Sequence, residues 1–266
     1  MLEIKLNIPA HIRFLGEELV QVLTTGIPAL DDAIGGGLLE DSNLLIVYDT
    51  YSYGWALAFE LLRNRMKLGD FGVVLDSVMP LSHLKMELNV INFDVEREGV
   101  NGNLAIMDLF SSFYGITYPA LDFVYTDTSI DSSTFLPKYN GMYRRILSER
   151  IGDRRPIGVD ATIDGLAFLL GEEAFVRVFQ NIIALKEKAR VTESRKRPLN
   201  ILLLNKGRAS ESLMAWISLY SQYVIDFSSS SSGVEKMFIR KSPLPDFVPR
   251  EDGYSFAIRR GKIIIE

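Results

Sequence analysis

The stretch Asn43–Leu62, NLLIVYDTYSYGWALAFELL, admits few structures. Its apolar run Leu44–Val47 has the length and composition of a buried parallel strand. Leu57, Leu61 and Leu62 then recur at helical spacing, with neither Pro nor Gly after Gly54. A tight strand-to-helix turn must join the two. Phosphate-binding loops occupy such turns, because glycines let backbone N–H groups and a helix N-terminus face one anion.

The turn itself reads Tyr48-Asp49-Thr50-Tyr51-Ser52-Tyr53-Gly54-Trp55. With the helix Ala56-Leu57-Ala58 held in register, G-x-x-x-x-G-K-[ST] puts Tyr48 and Tyr53 at the two glycines. Gly54 then stands at the lysine and Trp55 at the Mg-binding hydroxyl. Rings at glycine positions fill the space a triphosphate needs, and positive φ is costly for Tyr. No lysine reaches the β- and γ-phosphates, and Asp49 adds a repelling charge. A plain buried strand–turn–helix fits this stretch equally well.

Upstream, Thr25-Gly26-Ile27-Pro28-Ala29-Leu30-Asp31-Asp32-Ala33-Ile34-Gly35-Gly36-Gly37-Leu38 resembles the opening of the KaiC-like branch of the RecA-superfamily ATPases, T-G-I-P-x-L-D-x-x-I-G-G-G-L. Pro28 can start a short helix there and the glycine run can stop it. The resemblance, to archaeal-type single-domain members, covers about Val22 to Glu266. It implies an α/β fold with a RecA-like P-loop NTPase core: a mostly parallel central sheet flanked by helices, with C-terminal antiparallel strands. Residues 1–22 are expected as an N-terminal strand and helix arm on the core, and 23–266 as a single domain.

The same resemblance locates what an ATPase of this kind needs. After the strand Gly72–Leu75, active members carry a pair of glutamates, one of which activates water; here Asp76-Ser77-Val78 follows. Asp76 is a weak candidate base, and capping of the next helix suits it better. The apolar strand Ile157–Ile163 ending at Asp164 resembles a Walker B segment, with Asp160 as a competing register. Met237–Ser242 resembles the K-M-R-G-S strand that presents Lys and Arg to ATP on a neighbouring subunit. Phe238 replaces that Lys, whereas Arg240 and Ser242 match.

Other segments carry less chemistry. Residues 2–8 alternate like a strand, Ile12–Leu19 reads as a short helix and Val20–Leu23 as a strand. Ser111–Asn140 is expected to be loop-rich surface, Gly141–Ile151 a basic helix and Glu172–Ala189 an amphipathic one. Lys186, Lys188, Arg190, Arg195, Lys196 and Arg197 read as a basic loop, better a solvated charge run than a DNA site. Ser228–Ser232 suggests a flexible turn, and Tyr254–Ile265 a closing hairpin turning at Arg260-Gly261.

Composition narrows the partners. The 266 residues lack cysteine, which removes disulfides and thiolate metal sites. His11 and His83 lie far apart in sequence, so no zinc site is expected. A net charge of −5 argues against a broadly basic nucleic-acid binder. With no signal sequence or spanning apolar run, a cytoplasmic protein is expected. The expectation is a pseudo-ATPase without ATP or Mg bound in the usual mode, acting as a regulatory or scaffold subunit. Its partners would be further copies of itself or an active paralogue. A nucleoside-type ligand stacked on Tyr48, Tyr51, Tyr53 and Trp55, or DNA on the basic loop, are the alternatives.

Overall fold

A computed structural model describes residues 11–13, 19–128, 130–229 and 235–266. The chain begins with β1 (His11–Arg13), β2 (Leu19–Leu23), α1 (Pro28–Ile34) and β3 (Leu38–Leu39), the three strands forming a small antiparallel sheet. The helix expected over Ile12–Leu19 does not hold at its ends, where Ile12 pairs with Val20 and Arg13 with Leu19; residues 14–18 lie outside the described residues. So short a helix nucleates poorly, whereas ladder bonds to β2 satisfy the backbone directly. The strand expected over residues 2–8 lies outside the described residues.

The T-G-I-P segment has a local physical role. Pro28 occupies the first turn of α1, where its missing N–H costs nothing, and Gly35 ends the helix at φ 91°. Asp31 accepts from the Thr25 N–H at 2.8 Å and from the Thr24 hydroxyl at 2.5 Å, folding the segment back onto its own helix. A Cβ on Gly26, at φ 73°, would come within 2.6 Å of the Asn64 Cβ.

Next come β4 (Asn43–Tyr48), α2 (Ala56–Lys67), β5 (Phe71–Asp76), α3 (Leu81–Leu88), α4 (Val95–Val100) and β6 (Leu104–Asp108). All residues of β4, β5 and β6 are buried, the pattern of strands covered on both faces. They are followed by α5 (Leu109–Tyr114), β7 (Val124–Tyr125), α6 (Phe135–Ile146), β8 (Pro156–Asp160), α7 (Ile163–Leu170) and α8 (Glu172–Thr192). The chain then continues through β9 (Leu199–Asn205), α9 (Glu211–Leu219), β10 (Tyr223–Ser229), β11 (Glu235–Lys241), β12 (Tyr254–Arg259) and β13 (Lys262–Ile265).

The main sheet has the order β13-β12-β11-β10-β4-β9-β8-β5-β6-β7. Strands from β10 to β7 pair in parallel, and β10 to β13 pair antiparallel. One core layer takes α1, α2, α3 and α4 against Leu44, Ile46, Ile157 and Ile201. The opposite layer takes α5 to α9 against Leu45, Val73, Leu202 and Leu204. The C-terminal ends of the parallel strands therefore share one rim of the sheet, where open α/β folds place their ligands.

Several expected boundaries move. Ser111–Asn140 is only partly loop: Asp108 caps α5 by accepting from the Ser111 N–H, and α6 already starts at Phe135. Pro137 lies in the first turn of α6, so it breaks no helical bond. The basic helix expected from Gly141 is the second half of α6, running on into a π-helical turn at Leu147–Ile151. Ser228 and Ser229 extend β10 rather than forming a turn, and Ser230–Ser232 lie outside the described residues. The closing hairpin forms as expected, with Arg259 facing Lys262.

Candidate functional site: a strand-to-helix loop closed from within

Tyr48 ends β4 and its ring is buried in the core. Burial, with the nearby Asp164 carboxylate, pushes its phenol up to about 12. The loop beyond it is held by the β10–β11 pair. Asp49 accepts from the N–H of Ser229 at 2.8 Å and from its hydroxyl. Although burial opposes it, these bonds and one from the Tyr51 N–H hold Asp49 below the usual carboxylate range.

Glu235, at the start of β11, supplies a second clamp. Its carboxylate accepts from the Ser52 hydroxyl at 2.5 Å and the Tyr53 N–H at 2.8 Å. Ser52 in turn accepts from the Gly54 N–H at 2.9 Å. The N–H groups at this helix start, the donors an anion would use, thus already serve a carboxylate and a hydroxyl of the chain itself. Glu235 is buried, and sequence reasoning did not single it out.

Space at the loop is filled as well. A Cβ on Gly54 would lie 2.4 Å from the Phe227 ring, so a lysine there would collide with β10. Trp55 packs edge-on against Phe59, with ring centroids 6.2 Å apart, and Phe59 against Phe93 at 6.0 Å. Tyr53 contacts Trp55 at 6.4 Å and is half exposed, while Tyr51 is 88 % exposed. The four rings expected to stack on a nucleoside therefore do not converge. Tyr48 belongs to the core, Tyr51 to solvent.

The Walker B register differs from expectation. The strand β8 ends at Asp160, and Asp164 falls in the first turn of α7. Asp164 Oδ1 accepts from the Asn205 N–H at 2.9 Å, and Oδ2 from Arg208 Nε at 2.6 Å. Arg208 also contacts Tyr48, and despite partial burial these acidic partners raise its pKa. Both Asp164 oxygens are thus occupied by the chain. Asp160 is pushed up to about 7, mainly by burial and partly by Asp164.

Asp76, Ser77 and Val78 lie one strand further along the rim. Asp76 ends β5 and accepts from the Met79 N–H at 3.2 Å, within the turn rather than as the cap of α3, which starts at Leu81. Burial raises its carboxyl to about 7, with Asp108 and Asp160 adding to the shift. Val78 packs on α7, where a Cβ on Gly165 would meet it at 2.6 Å. Among the described residues no group of three or more His, Asp or Glu is placed to hold a metal ion.

Arg240 and Ser242 serve their own chain. Arg240 pairs with Asp226 at 3.0 Å and stacks on Phe238, its guanidinium carbon 4.4 Å from the ring centre. Ser242 donates to the Ile34 carbonyl at 2.7 Å. The basic loop also changes character: Lys186, Lys188 and Arg190 belong to α8, and Lys186 and Arg190 both pair with Asp41. Only Arg195, Lys196 and Arg197 follow the helix.

A parallel sheet in this strand order, with its strand-to-helix loop at the rim and an antiparallel C-terminal extension, is a RecA-like α/β fold. Solved structures agree. An uncharacterized protein from Pyrococcus horikoshii, solved in complex with an unknown peptide, matches with a TM-score of 0.75 and 20 % identity over 92 % of this chain and 98 % of that one. A KaiC-like protein from the hyperthermophilic archaeon Pyrococcus horikoshii OT3 matches with a TM-score of 0.65 and 18 % identity over 93 % of this chain and 99 % of that one. No protein-family profile and no curated protein matches the chain. Among the described residues, no helix is long and apolar enough to cross a membrane.

Proposed function

We propose that the protein is a non-catalytic RecA-like subunit that works by binding other proteins, in a regulatory or scaffold role. The observation that carries this reading is the Glu235 clamp: the loop donors an ATP phosphate would need are bonded to Ser52 and Glu235. Trp55 and Gly54 also stand where a metal-binding hydroxyl and a lysine would be required. Loss of one transition-state-stabilising donor commonly costs about 3–4 kcal/mol, and here several are missing together. A protein-binding role is further supported by the Pyrococcus protein of the same fold that was solved holding a peptide. DNA binding is less well supported, since Lys186 and Arg190 are engaged by Asp41.

Calorimetric titration with Mg-ATP, ADP and adenosine, on protein whose oligomeric state is fixed by light scattering, tests the reading. Silence at millimolar nucleotide is expected, together with self-association or retention of a partner in a pull-down. Mg-dependent ATP binding overturns the closed loop. A monomer at micromolar concentration that retains no partner overturns the scaffold role.

A further inference from the structure

One sizeable cavity lies away from the strand-to-helix loop. It measures about 470 Å³ and sits between the sheet and the helices α6 and α8. Protein interiors contain few voids larger than a water molecule, and a volume of this size falls within the range of about 300–1,000 Å³ typical of small-molecule pockets.

Strand alternation explains the space. On the face of β8 and β9 toward α2, Ile157, Val159, Leu199 and Ile201 fill the core. On the opposite face the same strands present Pro156, Gly158, Asp160 and Asn200, which leave room under α8. That helix runs for 21 residues yet fully buries only Phe175 and Phe179. Its remaining apolar stripe, Val178, Ile182 and Ile183, lines the cavity. Across from it, Phe135, Tyr139 and Tyr143 form a stacked ladder along α6, with centroids 5.8 and 6.5 Å apart.

The polar groups in this lining are arranged with a direction. The Tyr139 and Tyr143 hydroxyls make no hydrogen bond to the described residues, and as phenols, raised further above their ordinary value by burial, both are donors. Tyr139 feels the charge of Asp160 at one end, and Tyr143 those of Arg195 and of the single carboxylate Glu193 at the other, where cations outnumber it. Arg144, Lys188, Arg195 and Lys196 also line the space, and their side chains make no hydrogen bond or ion pair with described residues. An apolar, aromatic body with unpaired cations at one end matches one chemistry.

We propose that this cavity binds an amphipathic organic anion, with an apolar ring or acyl chain between the α6 aromatic ladder and the apolar stripe of α8 and a carboxylate-like head at Arg195 and Lys196. Such a site is independent of the closed phosphate loop. Binding there would set how α8 sits on the sheet, and so could carry a signal to whatever surface the subunit presents to its partner.

The test is a fluorescence titration of the intact protein with 1-anilinonaphthalene-8-sulfonate and with its neutral analogue N-phenyl-1-naphthylamine. Saturable binding to one site is expected for both. Ala189→Trp, which puts a ring into the cavity, should weaken both probes roughly tenfold or more. The exposed pair Arg195→Glu and Lys196→Glu, which leaves the core untouched, should weaken only the sulfonate, by about fivefold or more. Displacement by palmitate points to an acyl body and displacement by 2-naphthoate to a ring; displacement by neither overturns the proposal. So does non-saturable binding, or a sulfonate affinity that both variants leave unchanged. Nucleotide binding is read separately by the Mg-ATP titration, so the two proposals fail independently.

Discussion

Ser52 donates its hydroxyl to the carboxylate of Glu235 at 2.5 Å, joining residues 183 positions apart. The bond ties the loop after β4 to the start of β11. The same carboxylate accepts the Tyr53 N–H, so one buried side chain satisfies two loop donors. Glu235→Ala should leave both without a partner and destabilise the protein by about 1–3 kcal/mol, whereas Glu235→Gln, which retains an acceptor, should cost less. Urea unfolding at neutral pH measures both. An alanine variant as stable as its parent would mean that the loop does not depend on the clamp.

Gly54 touches Phe227 so closely that its Cβ position lies 2.4 Å from the ring. Gly54→Ala should therefore cost about 1–3 kcal/mol by overpacking. Gly54→Lys, which restores the residue of an active phosphate loop, should still give no Mg-ATP binding, because the β10 ring occupies the side-chain space. Isothermal titration of that variant decides the matter. ATP affinity gained from the single substitution would show that the missing lysine, not the packing, closes the site.

Much of the molecule was legible in the sequence because its cues are local. The T-G-I-P segment contains its own cap, since Asp31 reaches back only six residues to Thr25. The buried strands and the Arg260-Gly261 hairpin are likewise marked by runs and turn residues. Glu235 was not legible. Nothing in its neighbourhood says that β10 and β11 fold over the loop 183 residues earlier. The Asp160 and Asp164 registers were confused because Ala161-Thr162-Ile163 reads as more strand, although tertiary bonds from Asn205 and Arg208 favour a helical Asp164. Pro137 and Gly141 masked α6, whose stability comes from packing its aromatic ladder rather than from propensity. Lys186 and Arg190 read as solvated because their partner, Asp41, lies far away in the chain.

Asp164 is held between Asn205 and Arg208 with its side chain fully buried. Asp164→Ala would leave the Asn205 N–H without its acceptor and Arg208 without its counter-charge. Because Arg208 is itself half exposed, the expected loss is about 2–3 kcal/mol rather than the larger cost of breaking a fully buried pair. Asp164→Asn, which can still accept from Asn205, should lose less. Denaturant unfolding of Asp164→Ala, Arg208→Ala and the double variant gives the coupling between the residues. A coupling near zero, with Asp164→Ala as stable as its parent, would remove the carboxylate's structural role and reopen the question of a metal.

Asp76 and Asp160 end neighbouring strands of the rim, and burial lifts both carboxyls to about 7. Each releases its proton near the ordinary carboxylate value in the unfolded chain, so the folded protein binds more protons between about pH 4 and pH 7. Stability from this source is fully present below about pH 4, falls as pH rises through that window, and levels off above it. At about 1.4 kcal/mol per pH unit, one such group can remove up to about 4 kcal/mol. Asp76→Asn keeps an acceptor for the Met79 N–H while removing the titration. The variant should therefore be more stable than its parent at about pH 8, with the gain shrinking toward about pH 4. Part of the slope should persist, because Asp160 still titrates and the two carboxyls influence one another. Urea midpoints measured across that range give the answer. Parallel pH profiles for the two proteins would mean that Asp76 is ionised in the folded state after all, its charge held at the rim by groups other than the Met79 amide.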